Sequence, residues 1–170
     1  NVKLLLIAIY APNDNQEEFY RKLHRTIIDL DYDNICMMGN FNAIFNEKLD
    51  YKIQKTIKQS RKTLPKYFFK MTDELNLKDA WKERNTKNRQ YTLYSNRHLS
   101  WSRIDMKWMS TELTTNILEI DIEAGIRTDH NPMTIKWKGQ RKRSRWTLNN
   151  TILKEKDFTQ KMEKELDFFF

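Results

Sequence analysis

Residues 2–10 read Val-Lys-Leu-Leu-Leu-Ile-Ala-Ile-Tyr, apolar or aromatic at every position but Lys3. A half-buried strand alternates apolar and polar residues, whereas a run apolar at nearly every position needs cover on both faces. The segment therefore reads as a central strand, paired along both edges. The sequence before it supplies no partner, so the expectation is a sheet lacking its N-terminal strands.

The next elements follow from periodicity. Ala11-Pro12-Asn13-Asp14 is a turn, and Asp14 with Glu17 can form a capping box. A helix then runs to about Leu30, with Phe19, Leu23, Ile27 and Leu30 on one stripe. Asn34–Met38 is a short buried strand stopped by Gly39. Residues 47–62, rich in Lys and Gln, read as an exposed loop. A second helix spans Lys62–Leu75, with Leu64, Phe68, Met71 and Leu75 aligned. Tyr91–Tyr94, Ser102–Met109, Ile117–Ile122 and Met133–Trp137 read as strands. The basic segment 138–145, Lys-Gly-Gln-Arg-Lys-Arg-Ser-Arg, is a linker, and residues 151–168 can form one more helix. Helices this far apart among strands point to α+β layers rather than regular βαβ alternation.

Composition narrows the class. A chain of 170 residues is one domain or a fragment of one, and 39% hydrophobic with 12% aromatic residues sustains a core. The net charge of +8 favours a polyanionic partner, nucleic acid first and anionic membrane second. Residues 136–170 hold ten basic and five acidic groups, a net of +5, leaving +3 for residues 1–135. The single cysteine, Cys36, excludes an intrachain disulfide and sits in an apolar run as a buried thiol. No apolar run approaches the ~20 residues of a membrane span, and an intracellular protein is the expectation.

Three polar stations stand where buried strands begin or stop. Gly39-Asn40-Phe41-Asn42 follows Ile35–Met38, and Gly39 lets the chain turn tightly. Ser102-Arg103-Ile104-Asp105 enters an alternating strand with Ile104 facing the core. Arg127-Thr128-Asp129-His130 precedes the last strand. Singly, each has an ordinary explanation: Asn in turns, Asp on a solvated strand face, a common Asp-His dipeptide. His24 and His98 read as surface groups.

Together and in this order the stations resemble the endonuclease/exonuclease/phosphatase superfamily, which includes deoxyribonuclease I-like and apurinic endonucleases. More specifically, they are similar to the endonuclease domain of LINE-type retrotransposon polyproteins. Ile9-Tyr10-Ala11-Pro12-Asn13, Leu77-Lys78-Asp79-Ala80-Trp81 and Tyr91-Thr92-Leu93-Tyr94-Ser95 extend the resemblance, and 145–150 resembles the stretch leading to a reverse transcriptase. The segment between Trp81 and Asp105 fits this branch better than the phosphatases acting on inositol phosphates or sphingolipids. The resemblance implies an incomplete four-layer α/β sandwich, two packed mixed sheets flanked by helices. It assigns 1–137 to the C-terminal two-thirds of that domain, 138–150 to a basic linker and 151–170 to a helical start towards a reverse transcriptase.

The resemblance also implies roles. His130 matches a catalytic histidine and Asp105 the carboxylate that fixes its tautomer and stabilises imidazolium. Asp129 and Asn42 match residues near the metal and phosphate, with Mg²⁺ or Mn²⁺ as the expected ion. Tyr10 and Asn13 match donors to phosphate oxygens. Thr92, Ser102, Arg103 and Thr128 fall on segments that approach the DNA backbone, where contacts position without reading sequence. DNA is the expected partner and a membrane is not; an ancestor acting on chromosomal DNA would work in the nucleus.

Two departures follow. The family's Gly-Asp-Phe-Asn is Gly39-Asn40-Phe41-Asn42 here, and an amide cannot exchange a proton at useful pH. Losing a positioned acid or base costs ~10²–10⁴-fold in rate. The family's metal-binding Glu lies upstream of where this sequence begins. The implied activity is metal-dependent nicking of DNA, impaired in this chain. The alternative is a non-catalytic nucleic-acid-binding remnant using the basic segment.

Overall fold

The structure, a computed structural model, describes residues 2–54, 60–125 and 128–138. In chain order the elements are β1 (Leu4–Tyr10), α1 (Gln16–Ile28), β2 (Asn34–Asn40), α2 (Glu47–Asp50), β3 (Tyr51–Ile53), α3 (Lys66–Glu74), β4 (Leu77–Asp79), α4 (Ala80–Arg84), β5 (Leu93–Ser95), β6 (Ser100–Ser102), β7 (Asp105–Ser110), α5 (Thr111–Thr115), β8 (Ile117–Ile122) and β9 (Met133–Trp137). The expected linker and helix between 139 and 170 lie outside the described residues.

The principal sheet is mixed, in the order β1-β2-β7-β4, with β1 and β2 parallel and β7 antiparallel to both β2 and β4. A parallel pair needs a crossover, and α1 supplies it. The helix packs with α3 on one face of the sheet, burying Tyr20, Ile27, Phe68 and Met71 against Ile9, Ile35, Met37, Met106 and Trp108. Aromatic rings meet edge-to-face through this layer, with the Phe68 centroid 4.9 Å from Tyr20 and 5.0 Å from Trp108. The opposite face carries a second cluster, in which Cys36 and Met109 meet Trp81 of α4, Leu113 of α5 and the β8–β9 hairpin. A short sheet, β3-β6-β5, completes the strands. The protein is thus α+β, with two packed sheets flanked by helices.

β1 stands at the edge of the sheet among the described residues, the position expected for a strand whose further partner lies outside this sequence: Leu5, Ile7 and Ile9 turn inward, while Leu4 and Leu6 are exposed. Its apolar run on both faces is therefore only half used within these residues. Several expectations are corrected. The capping box does not form; Asn15 is the N-cap of α1, in the left-handed region, with no side-chain cap bond. The second helix starts at Lys66 rather than Lys62, because Pro65 disfavours helical backbone before it. The stretch expected as an exposed loop begins with α2 and β3, and its Asp50 is wholly buried. His24 is buried too, its Nδ1 3.2 Å from the Tyr67 hydroxyl. In β8 a bulge between Ile117 and Glu119 brings Ile117 and Ile120 into one core.

Gly39 does not stop β2, which continues to Asn40. Its φ of +136° is open to glycine, and a Cβ there would collide with the carbonyl of Ile9 on β1. The residue lets two strands pass closely, so both reach the end of the sheet in register.

Candidate active site

That register assembles the site. Tyr10 of β1 pairs with Asn40 of β2, and Asn40 pairs with Asp105 of β7. Three residues far apart in sequence thus form one row across the end of the sheet, since cross-strand partners share a face. Asp105 extends the row: its Oδ2 accepts a hydrogen bond from His130 Nδ1 at 2.8 Å. The imidazole is about one-third exposed, and Nε2 has no partner among the described residues. The pair borders an open depression of about 520 Å³ whose lining includes Gly125, Thr128, Asn131 and Met133.

The turn after the row is held from within. Asn40 Oδ1 accepts the Asn42 N–H at 2.8 Å, and Asn42, at φ +50°, donates through Nδ2 to Ala11 O at 2.7 Å. Asn tolerates the left-handed region better than most residues, which explains its use at position 42. Gln16, unmarked in the sequence reading, ties the two turns together. It is buried, and its Nε2 donates to Pro12 O at 2.9 Å and Phe41 O at 2.8 Å. Its only sequence signal is a polar residue on the first turn of an amphipathic helix.

Tyr10 is 78% exposed and Asn13 is exposed, so both offer side chains to a ligand. Asn13 also accepts through its carbonyl from Lys62 Nζ. Asp129 and Thr128 are exposed; Thr128 Oγ1 donates to His130 O at 2.8 Å, and the Asp129 carboxylate makes no hydrogen bond among the described residues.

Three expected DNA contacts are corrected. Thr92, Ser102 and Arg103 are all buried, with Arg103 at 0% exposure, so their side chains offer nothing to a phosphate. Thr92 Oγ1 instead accepts the backbone N–H groups of Ile104 and Asp105. Arg103 joins two carboxylates, with Nε 2.9 Å from Asp50 Oδ1 and Nη2 2.6 Å from Asp79 Oδ2. Burial would depress the guanidinium pKa, but the two carboxylates outweigh it and raise the value above the ordinary one. Ser-Arg-Ile-Asp thus divides its labour: Arg103 anchors the scaffold from inside and Asp105 reaches the site. Exposure is a tertiary property that strand alternation did not reveal, because residues 103 and 104 lie between β6 and β7.

Lys107 is a further residue missed in the sequence. It stands two positions along β7 from Asp105, and its Nζ donates to Met133 O at 2.6 Å. Burial pushes its ammonium below the ordinary pKa.

The donors do not fit a hard-cation site. Among the described residues no three His, Cys, Asp or Glu side chains gather as metal ligands. Asp105 is engaged with His130, the Asn40 amide oxygen with a backbone N–H, and Asn42 and Asp129 remain as one amide and one exposed carboxylate. A divalent cation such as Mg²⁺ takes several oxygens, usually including carboxylates, and these donors do not supply such a set.

With this geometry in place, likenesses to known proteins fall into two tiers. The fold is shared with solved structures of low sequence identity. A Neisseria 3′ phosphatase solved with a product DNA hairpin superposes with a TM-score of 0.65 at 18% identity, over 79% of this chain and 61% of its own. A 3′-5′ exonuclease from Neisseria meningitidis gives 0.65 at 17% identity over the same shares. An AP endonuclease from Archaeoglobus fulgidus gives 0.60 at 16%, covering 80% of this chain and 62% of that one. In sequence, the chain is similar to the Transposon TX1 uncharacterized 149 kDa protein of Xenopus laevis, 25% identical over 160 residues. That match covers 90% of this chain and 12% of the transposon protein, so the chain spans about an eighth of that relative. No family model matches the chain.

Proposed function

We propose that this chain is a nuclease module of a retrotransposon polyprotein, cleaving phosphodiester bonds in DNA at a rate held down by Asn40. The observation that carries the reading is the His130–Asp105 hydrogen bond at the end of the Tyr10–Asn40–Asp105 row, beside an open depression. The transposon relative and the DNA-processing fold neighbours support it. In this reading residues 1–137 are the nuclease part, 138–150 a basic linker, and 151–170 the start of a stretch towards a reverse transcriptase. A module acting on chromosomal DNA works in the nucleus.

The chemistry follows from proton positions. The Nδ1–H of His130 donates to Asp105, which leaves Nε2 able to take a proton from an attacking water. Water adds at phosphorus as His130 Nε2 takes its proton, the P–O3′ bond breaks, and the departing 3′ oxygen takes a proton from solvent to leave as a hydroxyl. A carboxyl at position 40 would handle a proton on the other side of the phosphate. The Asn40 amide cannot, and the deficit is on the order of 10²–10⁴-fold. Tyr10 and Asn13 supply neutral donors for phosphate oxygens.

The test is nicking of supercoiled plasmid by the full chain with Mg²⁺ or Mn²⁺, set beside Asn40→Asp and His130→Ala. The reading expects slow nicking by the parent, faster nicking by Asn40→Asp, and none by His130→Ala. Asn40→Asp keeps an oxygen for the Asn42 N–H but sets a carboxylate opposite Asp105. Like charges directly opposite cost roughly 0.2–1 kcal/mol, so the variant folds. Equal nicking by parent and His130→Ala would overturn the reading. DNA binding without nicking by folded Asn40→Asp would favour a non-catalytic binder. The slope of affinity against salt, compared with residues 1–137 alone, would then show whether the basic segment makes the contacts.

A further inference from the structure

We infer that Asn131 is a positioning residue that holds His130 against Asp105, an inference that rests on the hydrolytic reading above. His130 sits outside the regular strands, and one isolated bridge joins it to Leu93. Two backbone bonds flank that bridge: Tyr94 N–H to Asp129 O at 3.3 Å and Asn131 N–H to Thr92 O at 2.6 Å. The side chain of Asn131 adds two further bonds to the segment beside this bridge. Its Nδ2 donates to Tyr91 O at 3.0 Å, and its Oδ1 accepts the Gly125 N–H at 2.8 Å. One amide therefore spans from the entrance of β5 to the backbone that follows β8.

The fit depends on Gly125. A Cβ there would collide with the carbonyl of His130 and press on Asn131 Oδ1. The backbones approach closely enough for the short Asn side chain to reach both partners. Thr92 closes the circuit. Its carbonyl receives the Asn131 N–H, while its Oγ1 receives the N–H groups of Ile104 at 3.1 Å and Asp105 at 3.0 Å. Both members of the dyad are thereby referenced to one buried residue, although they arrive on segments 25 positions apart.

Only an amide of this length serves. The substitution Asn131→Asp keeps an acceptor for the Gly125 N–H but loses the donor to Tyr91 O, and Asn131→Ala loses both. A misplacement of ~1 Å in a reacting group costs on the order of 10²-fold. Asn131→Ala is therefore expected to lower kcat by roughly 10–100-fold with KM unchanged, because Asn131 acts through His130 rather than on substrate.

The experiment follows the ring nitrogens of His130 by long-range ¹H–¹⁵N correlation in the full chain, with nicking kinetics and thermal melts alongside. The parent is expected to hold the Nδ1–H tautomer that the Asp105 bond selects. Asn131→Ala and Asn131→Asp are expected to shift the ring towards Nε2–H while remaining folded. Unchanged ring signals in both variants would overturn the inference. So would an unchanged kcat beside shifted signals, or global unfolding of both variants, which would make Asn131 a residue of the fold alone. Absence of nicking in every variant would sink the hydrolytic reading by itself, with the ring nitrogens still reporting on Asn131.

Discussion

Arg103→Met probes the scaffold beneath the site. The substitution removes the cation that bonds Asp50 and Asp79, whose side chains are 0% and 5% exposed. Among the described residues Lys82 is the other cation beside them, with Nζ 3.4 Å from Asp50 and no hydrogen bond there. Breaking a buried pair from one side costs about 3–5 kcal/mol, because the orphaned charge stays buried. Met restores apolar volume but no charge, so a loss of about 4 kcal/mol is expected. For a domain of this size that corresponds to a fall in melting temperature of roughly 8–16 °C, out of a total stability of about 5–15 kcal/mol.

Adding Asp50→Asn and Asp79→Asn neutralises both acids. Each amide keeps an oxygen for the bonds these carboxylates accept, from Asn46 N–H and at the start of α4. The triple variant should return to within about 1–2 kcal/mol of the parent. Thermal and urea melts followed by circular dichroism at neutral pH decide it. The reasoning fails if Arg103→Met melts within about 1 kcal/mol of the parent, or if the triple variant is no more stable than the single one.

Other substitutions test separate links. Gly39→Ala meets both a φ of +136° and the Ile9 carbonyl; a loss of about 2–4 kcal/mol is expected, read as a lower urea midpoint at unchanged slope. Burial raises the Cys36 thiol, with Lys107 opposing only in part. Iodoacetamide should therefore spare Cys36 in the folded chain and label it fully in urea, because the thiolate is the nucleophile. Gln16→Ala should cut both bonds between the Pro12 and Phe41 turns and lower stability by about 1–3 kcal/mol in the same urea assay.

Much of the scaffold was legible in sequence, because it rests on local rules. Periodicity marked α1, β2, β8 and β9; an apolar run marked β1; and the Asn40, Asp105 and His130 stations stood out by their order along the chain. What escaped was whatever depends on which groups meet at a distance. Arg103 looked like a phosphate ligand, and Asp50 looked like a loop acid. Each is buried, because each neutralises the other across 53 positions. Burial of a charge is decided by its partner, and no local pattern names that partner. Sequence order likewise could not put Tyr10, Asn40 and Asp105 in one row. That row depends on strand register, which Gly39 permits by letting β1 and β2 approach without a Cβ between them. The sequence by itself determined which chemical groups the site could contain. The tertiary structure decided which of them face outward together, because hydrogen-bond register and paired burial are properties of segments in contact.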